Sequence, residues 1–208
     1  MTTPQELARA FTIAELREHA ARLRSTRGLL RQAYRDNAIG RRLREQLRYG
    51  VAITNQCRHC QVAHETFALH AGATADELAS VVGGDPTAFE PAAWTAILYA
   101  QALAAADFAP NPALRTELER FWTQAQCDEI EALALEMTVA NRCGNTFDAL
   151  LRRLRGRADS RSQLRDELAV SLVFLAGAML SIGRIAMIRR ESPLRYVAMV
   201  FSEPGAPR

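Results

Sequence analysis

The residues best suited to chemistry fall in one short segment, Cys57-Arg58-His59-Cys60-Gln61-Val62-Ala63-His64. If it is helical, each residue turns about 100°, which puts Cys57 and His64 only about 20° apart with Cys60 close by on the same stripe. Two thiols three residues apart at the start of a helix can close a disulfide if the first sits at the cap, where the backbone adjusts. The open N–H groups and positive dipole end of a helix favour a thiolate. His64 lies one turn beyond Cys60, within reach as a base or as an imidazolium partner. A thiolate with a second thiol beside it can attack a peroxide oxygen, become a sulfenic acid and be resolved as a disulfide. The same pair can exchange with an external dithiol. The helix terminus would activate Cys57, whereas proximity to His64 would activate Cys60, so spacing leaves the attacking sulfur open.

Other chemistry competes for these residues. Cys57, Cys60 and His64 have types that bind zinc, with Glu45, His59 or water as the fourth ligand. The chain has no second Cys-x2-Cys and no His pair to complete a site. Cys127 and Cys143 lack a partner at a redox spacing and read as small buried hydrophobes. His59 points about 140° away from His64 on a helix, which makes it auxiliary, and either structural or solvent-facing. His19 and His70 read as surface residues. Arg31, Arg35, Arg41, Arg42, Arg44 and Arg48 read as a solvated basic face. Asn141, Arg142 and Asn145 fit support of the site, a subunit contact or ordinary structural hydrogen bonding.

The elements that must position these groups are helices. The chain has 208 residues, 49% hydrophobic and 24% charged, enough to bury a sizeable core in one domain. Thr3-Pro4-Gln5-Glu6, Thr12-Ile13-Ala14-Glu15 and Thr74-Ala75-Asp76-Glu77 are capping boxes. The second opens a helix that carries Leu16, Leu23, Leu30 and Tyr34 and stops at Asn37. Further helices are expected at about 39–54, 57–72, 74–82 and 91–106, with Asn111-Pro112 capping another, then at about 126–154 and 162–190. The tail from Pro204 is expected to fray. Val197 to Phe201 is the only strand-like run, too short to assign by periodicity. The fold class is all-α.

Several functions are excluded or disfavoured. Every basic residue is Arg, so neither a Schiff-base lysine nor a P-loop lysine exists. The net charge of +3 does not by itself point to nucleic acid. No glycine-rich dinucleotide fingerprint is present. The N-terminus lacks a basic region followed by an apolar run. The uncharged stretch between Glu167 and Arg184 falls short of the roughly 20 apolar residues a membrane span needs and reads as a buried or subunit-interface helix. Four Cys without a secretory signal fit a reducing, cytoplasmic compartment.

With Glu45 included, the segment reads Glu45-x11-Cys57-x2-Cys60-x3-His64. This resembles the redox branch of the AhpD-like alkylhydroperoxidase and carboxymuconolactone decarboxylase superfamily. Arg44-Glu45-Gln46-Leu47, Ala71-Gly72-Ala73-Thr74, Asp76-Glu77-Leu78, Tyr99 to Leu103 and Asn141-Arg142 also fit. The likeness covers about residues 39–150 of a single domain, and the helical segment 159–190 has no counterpart in it. The resemblance implies an AhpD-like helical bundle and a homo-oligomer, a trimer or hexamer. It implies that Cys60 attacks the peroxide, Cys57 resolves, His64 accepts the Cys60 proton and Glu45 passes it on. It also implies reduction of hydrogen peroxide or a small organic hydroperoxide, with electrons from a dithiol or thioredoxin-like donor. No cofactor, metal, nucleic acid or membrane partner is required. The alternatives are a non-redox lactone decarboxylase of the same superfamily and a zinc-clipped helical binding protein.

Overall fold

The structure, a computed structural model, describes residues 9–109 and 111–202. The helices are α1 (Ile13–Ser25), α2 (Arg27–Asp36), α3 (Arg41–Thr54), α4 (Arg58–His70), α5 (Ala75–Gly83), α6 (Pro91–Ala105), α7 (Pro112–Glu119), α8 (Gln124–Leu154), α9 (Leu164–Arg189) and α10 (Pro193–Phe201). A 3-10 turn spans Pro86–Ala88. Among the described residues there is no strand, in agreement with the all-α expectation. The Thr3 capping box and the tail from Pro204 lie outside the described residues.

Local chemistry accounts for most boundaries. Thr12 with Glu15 and Thr74 with Glu77 form the expected capping boxes. Asn37 ends α2 at φ 53°, and Gly72 follows α4 at φ 94°. The helix expected from Thr12 to Asn37 is instead broken at Thr26. The Thr26 hydroxyl donates to the Leu23 carbonyl at 3.0 Å, and Gly28 follows, the poorest helix former after proline. α8 starts two residues before the expected Gln126, because Thr123 and Gln126 form a further capping box. The run from Val197 to Phe201 is helical. Ser192 caps α10 through the Leu194 N–H at 3.3 Å, Pro193 occupies its first turn, and Tyr196 and Val200 face inward one turn apart.

α8, 31 residues long, is the axis of the molecule. One cluster of buried side chains lies where α3 and α6 pack on it, with Leu47, Val51, Ile97, Ile130 and Leu133 at its centre. A second lies where α4, α9 and α10 pack, around Phe67, Phe147, Val170, Phe174 and Tyr196. α4 stands at the seam: Cys57 and Cys60 belong to the first cluster, Ala63 and Phe67 to the second. The Cys pair therefore lies between two packed layers and is closed off by the C-terminal helices.

α9 is buried on one face only. Leu172, Leu180 and Met187 on its outer side are more than two-thirds exposed. The helix is 26 residues long, by length and composition alone it suffices to cross a membrane, and only 28% of its apolar window is buried inside the protein. The uncharged run is shorter than the helix that contains it, which is why the sequence reading placed this segment below the spanning length.

Candidate active site

α3 and α4 are joined by the turn Asn55-Gln56, where Gln56 adopts φ 56°, uncommon for a residue with a side chain. Three contacts to α8 hold the turn. Asn55 Nδ2 donates to Thr138 Oγ1 at 3.3 Å and to Asn141 Oδ1 at 3.1 Å. Asn145 Nδ2 donates to the Asn55 carbonyl at 2.8 Å. Asn141 and Asn145 thus support the site from outside it. Arg142 instead reaches Glu15 and Asp107 at 2.9 and 3.1 Å, tying α8 to α1 and to the turn after α6.

The turn delivers Cys57 to the N-cap of α4. Its Sγ accepts from the Cys60 N–H at 3.4 Å and lies 2.7 Å from Cys60 Sγ, with both thiols free. Cys57 is completely buried. Burial pushes its thiol well above the ordinary value, and the hydrogen bond with Cys60 adds to the rise. The helix terminus therefore does not make Cys57 the acidic thiol. α8 makes room for it at Gly144, where a Cβ would stand 2.8 Å from Cys57 Sγ and 3.2 Å from Phe174 Cε2.

His64 and Glu45 meet across the α3–α4 pair, with Nδ1 to Oε2 at 2.8 Å. Glu45 is buried, and its other oxygen accepts from Arg48 at 3.3 Å. Arg48 is also buried and pairs with Glu136 and Tyr34, whose hydroxyl donates to Glu136 at 2.9 Å. With Nδ1 donating to Glu45 Oε2, the Nε2 lone pair is left free, the arrangement of an oriented base. Burial pushes the His64 pKa below its ordinary value, against the opposing hydrogen bond and charge of Glu45. His64 is consequently neutral at neutral pH.

His59 is not solvent-facing. It is buried, its Nε2 is 3.0 Å from Asp148 Oδ1, and its ring lies 5.1 Å from that of Phe174. Arg58 donates to both Asp148 oxygens, at 2.9 and 2.7 Å. Burial pushes the Asp148 carboxyl upward, but the hydrogen bonds from His59 and Arg58 more than offset it and leave the pKa below the ordinary value. Arg58 also donates to the carbonyls of Val200 and Ser202 at 3.3 and 3.0 Å. Arg58, the first of the two residues between the cysteines, thereby holds down the end of α10.

A cavity of 330 Å³ opens onto this arrangement. Cys60, His59 and His64 reach it from α4, Met137 and Cys143 from α8, and Phe174 from α9, with α10 closing the far side. Its walls are mainly hydrocarbon. Cys60 lines it, whereas Cys57 lies behind.

The structure thus gathers Cys57, Cys60, His64, Glu45 and His59 around one cavity. It leaves aside Cys127, buried with its Sγ 3.6 Å from the Trp122 carbonyl, and His70, which is exposed. His19, expected at the surface, is buried against Phe11 with Nδ1 3.0 Å from the Glu15 carbonyl. Arg44 and Arg48, expected on a solvated face, are also buried. Arg44 donates to the Ala33 carbonyl at 2.9 Å. These side chains turn inward because buried acceptors await them. Among the described residues no group of three or more His, Cys, Asp or Glu side chains is arranged to hold a metal ion. Sequence reasoning missed Gly144 and Asp148. A glycine inside a long helix is itself a packing signal, but nothing in the sequence connected it to Cys57.

The model of the carboxymuconolactone decarboxylase family was compared with the chain. It matches residues 17–102. The match begins earlier than the resemblance read from the motif and ends before α8, and it contains Glu45, Cys57, Cys60 and His64. The family includes decarboxylases and alkylhydroperoxidases. No curated protein and no solved structure gave a significant match. Gly144, Asp148 and the helices that close the cavity lie outside the matched segment.

Proposed function

We propose that the protein is a thiol-dependent peroxidase that reduces small hydroperoxides through Cys60 and Cys57. The observation that carries this reading is the placement of two free sulfurs 2.7 Å apart, one of them lining an apolar cavity that His64 also lines. His64, oriented by Glu45, takes the Cys60 proton. The Cys60 thiolate attacks the outer peroxide oxygen, the O–O bond breaks, and the departing alkoxide collects a proton to leave as the alcohol. Cys60 is now a sulfenic acid. Cys57, held as a thiol by its burial, attacks that sulfur; the S–O bond breaks, water leaves and a disulfide forms. An external dithiol restores both thiols by exchange. The hydrocarbon walls suit the organic part of a hydroperoxide and exclude water, which strengthens the Glu45–His64 interaction.

The test is a thiol titration before and after one equivalent of organic hydroperoxide. Two thiols per chain should be lost, with the bridge mapped to Cys57 and Cys60, and the loss should vanish in Cys60→Ser. Retention of all four thiols would refute the reading. Turnover of a carboxymuconolactone analogue by a Cys57/Cys60 double variant would instead point to the decarboxylase branch.

A further inference from the structure

We propose that the hydroperoxide enters the cavity past Gly177 of α9, and that this glycine sets how bulky a substrate can reach Cys60. The inference rests on the peroxidase reading given above. It goes beyond that reading by naming the entrance and the substrate that fits it, an uncharged hydroperoxide with an apolar body.

α9 turns two stripes of residues toward the cavity. Phe174, Ala178, Ile182 and Ile185 form the inner stripe, and all four are buried. Val173, Gly177 and Ser181 form the outer one, each four residues from the next and so on one side of the helix. Val173 and Gly177 line the cavity and are also exposed to solvent. A residue that does both stands at the mouth. Ala140 of α8 lines the cavity and is exposed in the same way. The mouth therefore lies between α8 and α9, and two of the smallest side chains in the lining stand at its rim.

Among the described residues nothing calls for a glycine at position 177. Its backbone is ordinary helix, without the left-handed φ that favours glycine, and glycine is the poorest helix former after proline. A Cβ built on Gly177 meets no atom within 4 Å. Gly144 is the opposite case, since its missing Cβ makes room for Cys57 Sγ. At Gly177 the missing Cβ leaves open space, and a larger side chain would stand in the doorway. Gly183 on the same helix is likewise exposed and open, but it does not line the cavity.

The lining says what passes through. The cavity measures 330 Å³, at the lower end of the roughly 300–1,000 Å³ that small-molecule pockets span, and hydrogen peroxide fills only a fraction of it. Glu136 is the only carboxylate in the lining, and Arg48 pairs with it. No arginine lines the cavity, in a chain that has 26. An anionic peroxide finds no cation there, whereas a hydrocarbon body meets hydrocarbon walls.

The test compares kcat/KM of the full chain for cumene hydroperoxide and for hydrogen peroxide, with dithiothreitol as reductant. Gly177→Leu should lower the ratio of the first to the second at least tenfold. Gly183→Leu adds the same side chain to the same helix away from the cavity, and it should leave the ratio unchanged. An unchanged ratio in Gly177→Leu, or an equal fall in Gly183→Leu, would overturn the inference while the peroxidase reading stands. Should Gly177→Leu not fold, Ala140→Leu narrows the mouth from α8 and should depress the ratio severalfold; no change there would overturn the inference too. If the unaltered protein consumes neither peroxide, the peroxidase reading itself fails and this inference falls with it.

Discussion

Two histidine–carboxylate pairs flank the cavity, and they differ in what stands behind them. His64 is held by Glu45 from α3, and Glu45 is held by Arg48, which leads outward to Glu136 and Tyr34. His59 is held by Asp148 from α8, and Asp148 is held by Arg58, which leads to the end of α10. The first pair ends at groups that can exchange protons; the second ends on a backbone. On the proposed reading the same chemical unit serves two purposes, proton handling in one place and closure of the cavity in the other. The first pair also lies within the segment matched to the family, whereas the second depends on Asp148 and α10 beyond it.

The sharpest test of that division is the rate. His64→Gln and Glu45→Gln should each slow peroxide consumption by about 10²-fold or more, the scale of a lost general base, while the helical circular dichroism is kept. If Asp148→Asn slows the single-turnover rate as strongly without changing stability, the two pairs do the same work and the comparison fails.

Stability should respond the other way. Asp148→Asn breaks a buried ion pair and loosens α10, at a cost of about 2–3 kcal/mol in urea unfolding. Arg58→Gln should cost a similar amount and raise the proteolysis rate after Phe201. Glu45→Gln leaves Arg48 paired with Glu136 and should cost less. Equal losses would mean that both carboxylates are chiefly structural.

Acidification separates the pairs by window. The folded pKa of His64 is lowered from 6.5 by burial, so the unfolded chain binds its proton first, and the stability from neutral burial is present above about 6.5 and lost as pH falls through the folded value. The folded pKa of Asp148 is lowered from 3.8, so its contribution is full above that value and is lost only at lower pH. The acid limb of the peroxidase rate should therefore lie below pH 6.5. In Glu45→Gln it should move lower still, because the carboxylate that raises the His64 pKa is gone. A shift to higher pH would contradict the assigned contact.

The smallest change tests the wall shared by both pairs. Gly144→Ala places a methyl group against Cys57 Sγ and the Phe174 ring. The overpacking should destabilise by about 1–3 kcal/mol and slow bridge formation more than the initial thiol oxidation, as read by stopped-flow against quenched mass analysis. Bridge formation at the normal rate would show that α8 yields there.

The helical fold, most boundaries, and the Glu45, Cys57, Cys60 and His64 set were legible because they rest on interactions within a few residues or on one local motif. Capping boxes, the Asn37 stop and the α4 stripe all depend on spacing along one helix. Thr26 was missed because a single hydroxyl and a nearby glycine broke an otherwise continuous apolar pattern. His19, Arg44 and Arg48 were misjudged because a charged side chain reads as exposed unless its buried acceptor is known, and those acceptors are brought in by tertiary packing.

By itself the sequence pointed to the residues whose chemistry the proposed function uses, and to the helices that present them. Only the tertiary structure decided which sulfur lines the cavity, that His59 is fixed by Asp148, and that Gly144 stands beside the pair. The reason is physical. Reactivity type and helical phase are properties of neighbours in the chain, whereas access, burial and the fields that set protonation arise where α8, α9 and α10 pack over α4 from more than fifty residues away.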